Sequence, residues 1–118
     1  MLDIESVKNI VQEFAKKYNF IQQIDIETAE KVADFDTYMK GCYKIGGKKY
    51  VVIHEYSDRT EIVFGTIFIS VDKDDEGDEE YYGIGQNRVF LIKVADFSDT
   101  DALLETMIEK CKEHKFLQ

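Results

Sequence analysis

The chain of 118 residues is 44% hydrophobic and 33% charged, and its formal net charge is −9. This length and composition predict one soluble globular domain, residues 1–118, and exclude a disordered chain. A negative chain without a cluster of Lys and Arg is also a poor candidate for direct binding of nucleic acid.

The sequence also indicates a compartment. It begins without a basic segment followed by an apolar stretch, so we expect no signal peptide, and no apolar run approaches the roughly 20 residues that cross a bilayer. Cys42 and Cys111 are far apart and lack the paired spacing of a zinc site, so we expect two reduced thiols. These features predict a cytoplasmic protein with no membrane contact, no metal and no cofactor.

Residues 3–18 predict an amphipathic helix, because apolar residues recur at steps of three and four. Asp3 is placed to cap its start, and Asn19 can take the left-handed conformation that ends it. From Phe20 to Glu27 the period changes to two, which predicts a strand. The next segment, Thr28 to Phe35, fits either a short helix or a continued strand, and we favour the strand.

Two glycines, Gly46 and Gly47, separate two strand-like segments, residues 36–45 and 48–56. Paired glycines accept the positive φ angles of a tight turn, so the pattern predicts a β-hairpin. A second turn is expected at residues 57–59.

The segment from Thr60 to Val71 is almost continuously apolar and rich in β-branched and aromatic residues, which predicts the central strand. Gly65 within it indicates a bulge or a close backbone approach. A last strand is expected from Val89 to Phe97.

Residues 98–101 predict a helix start, and the closing helix should extend to about His114. Its expected buried stripe consists of Leu103, Leu104, Met107, Ile108 and Cys111. Together the elements predict an α+β fold: an N-terminal helix, an antiparallel meander of four to five strands and a C-terminal helix. Both helices should pack on one face of the sheet in two layers, and a homodimer could cover the other face.

The segment from Asp72 to Glu80, which we call the acidic segment, holds seven acidic residues and one lysine, a local charge of −6 out of −9. One interpretation is a solvated connection that keeps the protein soluble. The other is a docking surface for a basic protein, which the adjoining tyrosines favour because tyrosine is enriched in contact surfaces. The candidate partner-binding residues are Asp72, Asp74, Asp75, Glu76, Asp78, Glu79, Glu80, Tyr81 and Tyr82.

A calcium loop is a poor fit to the acidic segment. Counted from Asp72, the twelfth position is Gly83, where an EF-hand needs a bidentate Glu, and the segment joins two strands instead of two helices. Clustered carboxylates could still attract a divalent cation weakly.

Catalytic residues are not evident, so we expect a protein without enzymatic activity. His54 would share one face of its strand with Tyr50 and Tyr56, and the three could line a small pocket. A satisfied histidine on a half-exposed sheet face is the simpler interpretation.

Three functions remain open. The first is a binding module that mimics phosphate and occupies a basic, nucleic-acid-binding or toxin-like surface, as an inhibitor or an immunity or anti-defence antagonist. The second is a small acidic dimeric chaperone or adaptor, which would bind through apolar surface. The third is a small-ligand binder or enzyme that uses the sheet face around His54.

Overall fold

The computed structural model describes residues 2–24, 35–37, 43–73, 76 and 79–117. Within these ranges the strand segments 35–37, 43–47, 68–73 and 79–84 are described by their backbone.

Helix α1 spans Ile4–Tyr18 and has the predicted ends. The Asp3 carboxylate accepts a hydrogen bond from the backbone N–H of Ser6 at 2.8 Å, and this bond is the main reason that the pKa of Asp3 is lowered. Asn19 ends the helix in the left-handed conformation, at φ 61° and ψ 46°. Both signals are local, which is why the sequence predicts them correctly.

The sheet contains three long antiparallel strands. They are β2 (Tyr43–Glu55), β3 (Thr60–Lys73) and β4 (Glu79–Lys93), and a short strand β1 (Phe35–Thr37) pairs with β2. The order is β1-β2-β3-β4, so β3 lies inside the sheet as predicted. Because the residues on either side of β1 lie outside the described part of the chain, the count of four to five strands stays a prediction.

The tight turn predicted at Gly46 and Gly47 is wrong. Both glycines lie inside β2, and Gly46 pairs with Phe35 of β1. Against β3 the register shifts between Ile45 and Lys49, so that extra residues of β2 bulge out of the ladder. Glycine suits an irregular strand as well as a turn, and pairing with distant segments decided between them.

The last strand begins ten residues earlier than predicted, at Glu79 instead of Val89. It ends at Lys93, and a 3₁₀ turn, Val94–Asp96, replaces the end of the predicted strand. The polar and glycine-rich stretch before Val89 has low strand propensity, but β3 supplies a long partner for it.

The predicted strand from Phe20 to Glu27 is also wrong over its described part. Only Ile21 forms a β-bridge, to Tyr50 of β2, and residues 22–24 have no regular structure. The ambiguous segment that follows, up to residue 34, lies outside the described residues.

Helix α2 spans Thr100–Glu113, close to the predicted limits. The Asp99 carboxylate accepts a hydrogen bond from the backbone N–H of Ala102 at 2.8 Å. The predicted stripe is buried at Leu103, Met107 and Cys111, whereas Leu104 is 36% exposed.

The main core joins α1, the sheet and α2. Phe14 of α1 makes an edge contact with Phe64 of β3, with ring centroids 5.9 Å apart, and Phe64 stacks on Phe90 of β4 at 4.6 Å. Its fully buried members are Val7, Val51, Ile62, Phe64, Leu103, Met107 and Cys111. Strand residues of the opposite parity, Tyr50, Val63 and Ile67, form a second buried cluster with Ile21 and Ile24 against it.

The fold is therefore α+β, with an N-terminal helix, an antiparallel sheet and a C-terminal helix. Neither described helix combines the length and the apolar character needed to cross a membrane.

Candidate functional site

The acidic segment forms the end of the β3–β4 hairpin. Its two ends belong to the sheet: Asp72 pairs with Glu80, and Lys73 pairs with Glu79. The sequence interpretation as a connection between strands is correct, but the paired part of the hairpin continues into the acidic segment.

The structure brings some of the predicted residues together. Asp72 and Glu80 occupy directly opposed backbone positions, and Glu76 is an exposed turn residue. Asp74, Asp75 and Asp78 lie outside the described residues.

The two candidate aromatic residues differ in register. Tyr81 pairs with Val71, while Ser70 pairs with Gly83, so Tyr82 is an additional residue in β4. A bulge of this kind bends the strand and redirects the side chains beside it. The bulge therefore lies directly next to the carboxylates with which Tyr82 was grouped.

Electrostatics give this end of the hairpin a reason to bind cations. Acidic residues directly opposite each other, as at Asp72 and Glu80, destabilise a strand pair, and Lys73 opposite Glu79 offsets only part of this repulsion. A basic side chain from a partner would replace the repulsion with charge-assisted hydrogen bonds.

The acidic segment lies away from the described core. The last buried residue of β3 before a stretch known only by its backbone is Ile67. Lys73 is six residues further along, which corresponds to about 20 Å of strand. The radius of gyration of 16.2 Å exceeds the roughly 13.5 Å of a compact domain of this length, so the molecule is elongated.

The alternative surface around His54 is less unified than the sequence suggests. Tyr50 is fully buried in the second cluster, whereas Tyr56 is 40% exposed. The Tyr56 hydroxyl lies 3.4 Å from His54 Nδ1, and the two rings meet edge-on at 6.0 Å. A site on this face would therefore use His54 and Tyr56 without Tyr50.

Charged residues around the β2–β3 turn hold Tyr56 in place. The Arg59 guanidinium lies 4.2 Å from the Tyr56 ring centroid and donates to Asp58 at 2.9 Å and to the buried Glu61 at 3.3 Å. The pKa of Arg59 is raised, chiefly by Asp58. This set of contacts accounts for these side chains as a turn-stabilising cluster.

Two surface depressions of about 200 Å³ each lie beside α1. Both are smaller than the roughly 300–1,000 Å³ of typical ligand pockets. One is lined by Lys8, Val11, Gln12, Gln22, Val51, Val52 and Ile53, and the other by Ile10, Glu13, Phe14, Lys17, Tyr18, Leu104 and Ile108. Neither includes His54 or the acidic segment.

Among the described residues, no group of three or more His, Cys, Asp or Glu side chains is arranged to hold a metal ion. Cys111 is a buried free thiol, and burial raises its pKa to about 12 although Lys49 opposes the shift. Cys42 lies outside the described residues.

Sequence reasoning missed the exposed part of β4 from Gln86 to Val89. The signal that could have found it is length. An apolar strand of 14 residues needs a neighbour of comparable length to satisfy its backbone hydrogen bonds. Comparison of the chain with protein-family models, with curated proteins and with solved structures found no match.

Proposed function

We propose that this protein is a non-enzymatic binding module whose acidic segment occupies a basic surface of a partner protein. The partner's surface would be one that binds nucleic acid or belongs to a toxin-like protein, and binding would make the module an inhibitor or an immunity or anti-defence antagonist. The observation that carries the proposal is the opposed pair Asp72 and Glu80 at the end of a hairpin with a local charge of −6.

The charge distribution supports a local contact. The residues outside the acidic segment carry 17 acids and 14 bases, which is nearly balanced. A strongly negative end on a nearly neutral body orients the molecule as it approaches a basic surface. At the surface, carboxylates would compete with phosphate for the same Lys and Arg donors.

Tyr81 and Tyr82 extend the proposed contact beyond charge. Tyrosine contributes apolar contact area at a small entropic cost and still offers a hydroxyl for hydrogen bonding. The bulge at Tyr82 supports this role, because bulges are common where a strand redirects a functional side chain.

The proposal includes the finer architecture and the compartment. We propose a four- to five-stranded sheet with the helices on one face as a second layer. The shared core of Phe14, Phe64 and Met107 supports this packing. A cytoplasmic location fits the free buried thiol of Cys111.

One observation favours the chaperone or adaptor alternative. Val89 and Leu91 of β4 are 41% and 40% exposed, and such proteins bind through exposed apolar surface. Binding of this kind would persist at high salt, whereas binding through the acidic segment would weaken as salt screens the charges.

Competition with nucleic acid tests the proposal. Immobilised wild-type protein would capture proteins from a host lysate at low salt, and the resin would then be washed with a short duplex DNA or with an uncharged polymer. We expect the duplex to release a basic partner that the uncharged polymer leaves bound. A captured partner that resists both washes would contradict occupation of a nucleic-acid-binding surface.

A further inference from the structure

Strand β4 has one edge without a strand neighbour among the described residues. It is the terminal strand in the order β1-β2-β3-β4, and β3 pairs with its inner edge. A sheet edge presents N–H and C=O groups that can pair with another chain. The residues from Gln86 to Val89 are exposed, so this edge is accessible.

The edge has a regular central stretch. The register of β4 against β3 is continuous from Gly83, which pairs with Ser70, to Arg88, which pairs with Gly65. Register shifts lie on either side, at Tyr82 and at Val89. Bulges protect the ends of an edge from pairing, but they leave these six residues regular.

The charges along β4 are polarised. The strand begins with Glu79 and Glu80, and its other half contains Arg88 and Lys93. Two copies aligned antiparallel would place the acidic beginning of one strand beside the basic end of the other. The pattern is therefore complementary to itself.

Antiparallel alignment also separates the two acidic segments. With 15 residues in β4 and about 3.4 Å of rise per residue, the segments would lie on the order of 45 Å apart. This is several times the Debye length of about 8 Å at physiological salt, so they would not repel each other appreciably. Most other apposition of two chains would bring the segments closer.

We propose that the protein forms a homodimer by antiparallel pairing of two β4 edges around Gln86. A twofold axis perpendicular to the sheet puts opposed residues on the same face, so a residue lies at its centre. Full overlap of Glu79–Lys93 makes that residue Gln86, with Gly83 opposite Val89 of the other copy. The exposed Val89 and Leu91 would then lie along the interface.

This inference does not depend on the proposed function. A dimer would carry two acidic segments at opposite ends, and each would remain accessible to a separate basic partner. Loss of partner binding on neutralising the segment and loss of dimerisation at β4 are distinguishable results.

The first test is the mass of the wild-type protein in solution, measured by sedimentation across the micromolar range at physiological salt. The expected mass is twice the 13.7 kDa of the chain. A monomer at every concentration would overturn the proposal.

A site-specific cross-link tests the geometry. Opposed Cα atoms of antiparallel strands lie about 4.5–5.5 Å apart, within the roughly 4.4–6.8 Å that a disulfide spans. In a Cys42→Ser background, Gln86→Cys should form a reducible covalent dimer under mild oxidation, while Lys16→Cys on the exposed surface of α1 should not. Equal cross-linking of both variants, or of neither, would overturn the β4 interface.

A charge reversal tests the complementarity. Lys93→Glu should raise the dimer dissociation constant about tenfold, because twofold symmetry counts the lost attraction and the new repulsion twice. Lys16→Glu changes the net charge equally and should leave the dimer unaffected. An equal effect of the two variants would contradict a specific role for Lys93.

Discussion

The ring of Tyr50 on β2 lies directly against Gly65 on β3. The two residues are a cross-strand pair, and a Cβ atom on residue 65 would stand 2.6 Å from Tyr50 Cε2. The same atom would also meet the backbone carbonyl oxygen of Asn87. Position 65 is glycine because an aromatic ring and the neighbouring strand fill the space of a side chain.

Gly65→Ala should therefore destabilise the fold. The added methyl group overlaps a buried ring and a backbone carbonyl, so we expect the free energy of unfolding to fall by about 1–3 kcal/mol. Urea unfolding followed by circular dichroism measures this change, and Thr66→Ala on the same strand is a matched control. A Gly65→Ala protein as stable as the wild type would show that the strands can separate without cost.

Tyr50→Phe should change how stability depends on pH. The Tyr50 hydroxyl is buried without a hydrogen-bond partner among the described residues, and burial raises its pKa although Arg88 opposes the shift. Above about pH 10 the unfolded tyrosine ionises while the native one stays neutral, so stability falls as pH rises toward the native pKa. Urea unfolding from pH 8 to pH 11 should show a steeper decline for the wild type than for Tyr50→Phe. Parallel declines would mean that Tyr50 ionises equally in both states.

Local signals explain what the sequence predicts well. Asp3, Asn19 and Asp99 act within one helical turn of their own positions, and each lies where the helix begins or ends. Gly65 could be assigned to a bulge or a close approach because glycine inside an apolar strand has few other reasons.

Long-range pairing explains what the sequence does not predict. Gly46 and Gly47 suit a turn and a bulge equally, and pairing with Phe35 and with β3 decides between them. The early start of β4 at Glu79 depends on the length of β3 in the same way. For the acidic segment, charge is visible in the sequence, but the opposition of Asp72 and Glu80 depends on the register of two strands.

The Cys111 thiol should be unreactive in the native protein. It is fully buried, and its pKa of about 12 leaves almost no thiolate at neutral pH. In a Cys42→Ser background, modification by a thiol reagent should be slow in buffer and rapid in denaturing urea. Equally fast modification in both conditions would mean that the core around Cys111 opens readily.

Asp99→Ala should weaken the start of α2. Loss of the hydrogen bond to Ala102 N–H should lower the free energy of unfolding by about 1 kcal/mol, whereas Asp99→Asn should retain most of it because Asn also caps well. Thermal or urea unfolding of the two variants compares them directly. Equal losses in both would point to the charge of Asp99, and not its capping oxygen, as the source of stability.

The central claim concerns where the partner binds. The test compares three immobilised proteins over a series of salt concentrations: the wild type, a variant with the seven acids of the acidic segment changed to Asn or Gln, and a matched variant. The matched variant neutralises seven exposed acids elsewhere, namely Glu5, Glu13, Asp96, Asp101, Glu105, Glu109 and Glu113. Both variants lose the same total charge, so any difference between them reflects position alone.

The measurement is the amount of basic partner that each protein retains. We predict that the wild type and the matched variant retain it at low salt and release it together as salt rises, while the protein without the acidic carboxylates retains none. Equal retention by all three proteins would contradict binding through the acidic segment and would move the binding surface to the apolar residues of β4.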